Sequence, residues 1–270
     1  MIPRLFFKIV TLELRKQMSY RVDFWVNTIV SFFAAMGVMY FLWDSIFTAS
    51  KQEIIGGYTL KEMILYYVLV ILIAKLVRGS NQMIGIADDI YKGSLTKYQL
   101  FPTPYLVFKY AEHLGSLLPA IIQLVIFGIL SPLIFTFPES LNITPVTILT
   151  CINVVLLANL LFFCLSLPLQ LVAFWADNVW SLIVMNHFIS GLLGGAMLPL
   201  ELFPDWARSL LAFTPFAYLY HFPVRILTGH ISTQQLWHGV GVMSCWILIL
   251  GVCSWYIWKA GNKRYTGVGI

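Results

Sequence analysis

Residues 24–43 read FWVNTIVSFFAAMGVMYFLW, twenty positions without a charged side chain. A helix rises about 1.5 Å per residue, so this run is long enough to cross the ~30 Å hydrocarbon layer of a bilayer. Further charge-free runs occupy 113–138, 140–176, 178–200 and 226–258. Pro145 and Pro168 mark expected ends within 140–176, and Ser232 or Thr233 suits the cap that starts the last helix. Residues 63–74 are charge-free over a shorter stretch. Extension back to Leu60 and on to Val77 gives another span if Lys75 and Arg78 snorkel to the interface.

The expectation is therefore an all-α integral membrane protein with six transmembrane helices, over 22–47, 60–78, 105–136, 145–172, 178–200 and 233–258. Residues 1–20 are expected as an interfacial helix, 80–102 as a cytosolic segment, and 259–270 as a cytosolic tail. The run 209–224 carries Pro215 and Pro223 and is short for a crossing, so 201–230 is read as a re-entrant helical hairpin on the outer side. No repeat or low-complexity linker divides the chain, which reads as one membrane domain.

Composition agrees. Of 270 residues, 59% are hydrophobic and 11% charged, against about 25% charged in an average soluble domain. Mean hydropathy is +0.82. A soluble domain needs a polar skin that this chain cannot supply, which excludes a soluble enzyme, a disulfide scaffold and a disordered protein. Aromatic residues make up 16%, which suits side chains resting at the membrane–water interfaces. The early charges Arg4, Lys8, Glu13, Arg15 and Lys16 leave no apolar core for a cleavable signal peptide, so none is expected.

Charge placement sets the expected orientation. Thirteen basic residues fall on the side of the termini (Arg4, Lys8, Arg15, Lys16, Arg21, Lys75, Arg78, Lys92, Lys97, Lys109, Lys259, Lys263, Arg264), and four on the other (Lys51, Lys61, Arg208, Arg225). The positive-inside rule places both termini in the cytosol.

The chain has no phosphate-binding G-x-x-x-x-G-K-[ST], no H-E-x-x-H zinc helix and no G-x-S-x-G elbow. Its five histidines show no ligand spacing, and its four cysteines lie in apolar runs as ordinary core thiols. No catalytic residue, cofactor, metal or nucleic-acid partner is expected, and any energy input must come from a partner.

Three segments carry the functional reading. In the first helix Arg4, Lys8 and Arg15 share a basic stripe beside Leu5, Ile9 and Leu12. Residues 80–102 read SNQMIGIADDIYKGSLTKYQLFP. Ile84, Ala87 and Tyr91 share a face, Asp88 and Lys92 are spaced i,i+4, Gly93 suits the left-handed helix end, and Pro102 and Pro104 stop helical continuation. A short capped helix between two crossings is a compact lever. Toward the other side, Gly191 and Gly195 stand in small-xxx-small register for close helix packing, and Pro199, Glu201, Phe203, Pro204 and Trp206 lead into the hairpin that ends at Arg225.

With these residues in view, the chain resembles the type-2 ABC exporter permeases, and within them a bacterial six-span branch with a short cytosolic lever. The resemblance covers nearly the whole length. It rests on Tyr20-Arg21-Val22-Asp23-Phe24, on Asp88-Asp89-Ile90-Tyr91-Lys92-Gly93-Ser94-Leu95 running to Leu100-Phe101-Pro102, on Ser190-Gly191 through Leu198-Pro199-Leu200-Glu201-Leu202-Phe203-Pro204-Asp205-Trp206 to Pro223-Val224-Arg225, and on Lys263-Arg264-Tyr265. The third piece is the most specific. A typical lever of the family ends in an Arg-Pro pair, where this chain has Phe101-Pro102.

The resemblance implies a permease in the bacterial inner membrane that works as a homodimer or heterodimer with two cytosolic ATPase subunits, which hold the ATP and Mg. It implies that 80–102 is a coupling segment whose Ile84, Ala87, Asp88, Asp89, Ile90, Tyr91, Lys92, Gly93 and Leu95 engage the ATPase, and that residues 1–20, with Arg4, Lys8 and Arg15, form the connecting helix. The 201–230 hairpin would close the path from outside. The aromatic, weakly charged interior of the chain suggests an amphipathic or hydrophobic cargo, and the family resemblance implies that it moves outward. The alternatives are a membrane-embedded enzyme acting on lipid-linked substrates through Asp88, Asp89, His187 or Glu201, and an ABC-coupled sensory or structural protein that moves no cargo.

Overall fold

The computed structural model describes residues 2–19, 21–79, 85–117, 120–122, 124–125, 144–229 and 231–267. Among them the chain is all helical apart from one isolated bridge between Ile55 and Tyr58. The helices are α1 (Ile2–Ser19), α2 (Arg21–Ser50), α3 (Leu60–Arg78), α4 (Gly85–Tyr91), α5 (Leu95–Gln99), α6 (Tyr105–Gly115), α7 (Pro145–Leu171), α8 (Trp180–Leu193), α9 (Asp205–Leu211), α10 (His221–Leu227) and α11 (Thr233–Asn262).

Local chemistry sets several boundaries. Thr59 opens α3 with a capping box: its hydroxyl accepts from Glu62 N, and the Glu62 carboxylate accepts from Thr59 N at 2.9 Å. Ser232 and Gln235 do the same for α11. Thr144 caps α7 and Pro145 takes the first turn, where a missing N–H costs nothing.

Among the described residues, three helices are long and apolar enough to cross a membrane: Ile29–Ser50, Pro145–Phe174 and Thr233–Asn262. The pair Asp205–Leu211 and Phe216–Leu227 would qualify as one broken segment, bent by 82°. Two expectations need correction here. The run 178–200 is not one straight helix: α8 stops at Leu193, and Gly195 turns the chain at φ +86 before Pro199. With 14 residues, α8 is about 21 Å long, short of the hydrocarbon thickness. Pro168 does not end α7, which continues to Leu171 before a 3-10 turn over Val172–Phe174. Of the expected span 105–136, α6 covers the start, and most of its later part lies outside the described residues.

The core centres on α3. Trp43 and Phe47 of α2, Tyr66, Tyr67 and Val70 of α3, Ala158 and Leu161 of α7, and Leu219 and Tyr220 before α10 pack into one buried cluster. α7 runs against α11, α3, α10 and α8. Outward faces of α2 and α11 stay apolar, with Phe33, Val38, Phe41, Leu248, Val252 and Trp255 uncovered. Apolar surface on that scale belongs against lipid or another membrane chain.

Contacts divide the bundle into two ends. A lever end gathers the C-termini of α3, α7 and α11 with α4, α5 and the start of α6. A hairpin end gathers the 50–60 turn, the start of α11, and residues 195–229. The hairpin reaches inward: Trp246, about 20 Å along α11, donates its indole N–H to Phe213 O at 2.9 Å.

Candidate functional site

At the lever end, Asp89 is the hub. It is buried, and its Oδ2 lies 2.7 Å from Lys109 Nζ and accepts from the Tyr105 hydroxyl at 2.8 Å, while its Oδ1 accepts from Ser94 Oγ at 2.7 Å. Lys109 also meets Glu112 at 2.8 Å and sits 4.7 Å from the centre of the Tyr98 ring. Charge-assisted bonds of this kind fasten α4 to α6.

Other bonds tie the same segment to the remaining helix ends. Gln170, near the end of α7, accepts from Ile86 N at 3.0 Å. The Tyr91 hydroxyl donates to Ala176 O at 2.9 Å; burial pushes this phenol up, with Asp177 adding to the effect, so it keeps its proton. The Tyr105 ring stacks on Trp258 of α11 at 5.0 Å, and Thr96 meets the Tyr265 hydroxyl at 3.2 Å. Gly93, at φ +66, ends α4 in the left-handed conformation.

Of the residues expected to couple to an ATPase, Ala87, Asp89, Ile90 and Leu95 face into the chain, and Tyr91 is half-buried. They hold the lever rather than present it. Asp88 and Lys92 form an outward ion pair at 2.9 Å beside Gly93. Ile84 lies outside the described residues. The outward face continues into Leu100, 84% exposed, and Phe101, 46% exposed. Sequence reasoning missed Tyr105, Lys109 and Glu112; the lysine and the acid three residues on, in an otherwise apolar helix, were the available signal.

α1 packs along α6. A Cβ at Gly115 would come within 2.8 Å of Glu13 Cβ and of Val10 O, so only glycine permits the approach. Ile9 and Glu13 face inward, while Arg4, Lys8 and Arg15 face outward.

At the hairpin end, His221 Nε2 is 3.3 Å from Glu201 Oε1, and Arg225 Nε is 4.0 Å from the same oxygen. The Tyr66 hydroxyl donates to Gly195 O at 2.7 Å and lies 3.2 Å from His221 Nδ1. Burial alone would raise the Glu201 carboxyl, but the bond and attraction from His221 outweigh it and hold the group below its ordinary value. Pro199, Pro215 and Pro223 are buried, Phe203 is half-buried, and Pro204 and Trp206 are exposed. Gly195 lies past the end of α8, so it and Gly191 do not form a helical stripe; its place is a turn whose carbonyl receives Tyr66.

Among the described residues, cavities flank the core at both ends. One of about 280 Å³ lies at the lever end and includes Arg78, Lys109 and His187 in its wall. One of about 500 Å³ lies at the hairpin end beside Glu201, His221 and Arg225. Asp88 and Asp89, His187 and Glu201 therefore do not converge on one reaction centre. Among the described residues, no three His, Cys, Asp or Glu side chains are grouped to hold a metal ion. An ABC-2 family transporter protein profile matches residues 33–269. No curated protein matches the chain significantly.

Proposed function

The chain belongs to the ABC-2 family of transporter proteins, and from that premise we propose that it is the permease subunit of an ATP-driven exporter, paired with a second permease copy above two cytosolic ATPase subunits. ATP and Mg belong to those subunits. In this reading the lever is the part they push. ATP binding shifts the path from inward-open to outward-open only by favouring one state; moving a two-state balance from 1:99 to 99:1 takes about 5.5 kcal/mol of differential binding.

The observation that carries this reading is the construction of the lever. Its inner face is bonded through Asp89, Gln170, Tyr91 and Tyr105 to α6, α7, the turn after α7, and α11. Its outer face offers Asp88, Lys92, Leu100 and Phe101 to a partner. A push on such a segment is passed to three helices at once. Six crossings, both termini in the cytosol of a bacterial inner membrane, and an amphipathic or hydrophobic cargo complete the reading. The supporting facts are the basic residues near the termini and lever and the inward reach of the hairpin to Trp246.

The test is co-purification from native membranes. An ABC ATPase should accompany the full chain, and Leu100→Asp combined with Phe101→Asp should release it while the permease still inserts. Retention of the ATPase by that double variant would overturn the docking face.

A further inference from the structure

The 280 Å³ cavity at the lever end is independent of the ATPase contact. It lies between the end of α3, the start of α4, and the facing sides of α6, α7 and α8. Its polar wall is built from Arg78, Lys109, His113, Ser166, Gln170 and His187, with Phe162 and Phe163 supplying apolar surface. Each of these polar side chains can donate a hydrogen bond, and among the described residues no carboxylate lines the space.

Arg78 decides what such a space accepts. Its Nε donates to the Tyr220 hydroxyl at 2.8 Å, and its guanidinium sits 5.0 Å from that ring's centre. No carboxylate pairs with it among the described residues. An arginine at a helix C-terminus often serves the last carbonyls, but here another side chain has taken them. Asn159 Nδ2 donates to Leu76 O at 3.0 Å and to Val77 O at 3.1 Å. Neither Nη group has a hydrogen-bond acceptor among the described residues, and one of them lies beside Gly191 of α8, next to the cavity wall that Arg78 helps to form.

The other donors are placed similarly. Gln170 has spent its oxygen on Ile86 N, which leaves its amide N–H groups. Ser166 accepts from Asn186 Nδ2 at 3.3 Å, which leaves its own proton. His187 rests edge-on against Phe162, and neither ring nitrogen has a hydrogen-bond partner among the described residues. Lys109 is already neutralised by Asp89 and Glu112, and both acids turn toward it rather than into the space.

We infer that this cavity is a binding site for a phosphate-type oxyanion, held by Arg78 with Ser166, Gln170 and His187 and backed by the two phenylalanines. A tetrahedral anion accepts donors from several walls, and basic pockets between helices at the cytosolic side of a bilayer take phosphate headgroups. The volume fits a headgroup or a free anion with a few carbons, and lies just below the usual range for a drug-sized ligand.

The experiment uses the full chain in phosphatidylcholine nanodiscs, without an ATPase, so its result does not depend on the exporter reading. Inorganic phosphate is titrated and followed by ³¹P NMR, and phosphatidylglycerol is added to parallel discs and followed by native mass spectrometry. Saturable binding of at least one probe is expected. Binding of phosphate alone assigns a free anion; phosphatidylglycerol displaced by phosphate assigns a lipid headgroup. Arg78→Gln should weaken the bound probe at least tenfold, with Arg78→Lys intermediate. Because Arg78 also touches Tyr220, His187→Ala provides a second check, with an expected loss of threefold or more. Binding of neither probe would overturn the site. So would a folded Arg78→Gln variant that binds within twofold of wild type, or, should that variant not fold, unchanged binding by His187→Ala.

Discussion

Asp89 at the lever end and Glu201 at the hairpin end are both drawn in from solvent, and they are held in different ways. Asp89 uses both oxygens on partners 5, 16 and 20 residues away, all within 2.8 Å. Glu201 meets His221 at 3.3 Å and Arg225 at 4.0 Å, and its Oε2 has no hydrogen-bond partner among the described residues. The chain that continues from His221 to Tyr66 joins elements 155 residues apart. One end is a tight local module, and the other is a longer-range clasp with slack in it.

The largest effect is expected from Asp89→Ala. Removing one partner of a buried ion pair typically costs about 3–5 kcal/mol, and Glu112 places this loss near the lower end. Thermal unfolding in detergent should show it, and a loss under 1 kcal/mol would remove the rigid-module side of the comparison. Asn159→Leu should follow, at about 2 kcal/mol, because two carbonyls at the end of α3 lose their donor. Hydrogen exchange just after Leu76 is the sharper readout.

Glu201→Gln keeps the shape and removes the charge, for about 1 kcal/mol. Its expected signature is faster proteolysis within 205–227 and no change at the lever. The same clasp should respond to acid. Because Glu201 is held below its ordinary value when folded, its contribution is present above the unfolded carboxylate range, about pH 4, and is lost as pH falls through the lower folded value. Increased acrylamide quenching of Trp246 on acidification would show the hairpin loosening. The smallest effect is expected from Lys92→Ala: the exposed pair with Asp88 should leave the melting temperature unchanged.

Local signals account for what the sequence makes legible. Ser232 precedes a long apolar run with Gln235 three residues on, and α11 starts there. Thr59 and Glu62 mark α3 in the same way, and Gly93 ends α4 where a left-handed residue is needed. The inward turn of Asp89 is not written locally. Asp88 and Asp89 are neighbours of the same type, and only the positions of Tyr105 and Lys109 on another helix send one inward and the other out. Gly191 and Gly195 show the converse error, since spacing alone cannot reveal that the helix stops between them. Asn159, His221 and Tyr66 act across 82 to 155 residues, a separation at which no periodicity survives.

The grip of Asn159 on Leu76 and Val77 also has a mechanical meaning. A helix tugged from its last residue normally unravels there first, since its final carbonyls have nothing to lean on. Here that frayable tip is riveted to the neighbouring column. Force entering through Gly79 would be shared by α3 and α7 as a single strut, and the joint that yields must lie elsewhere in the framework.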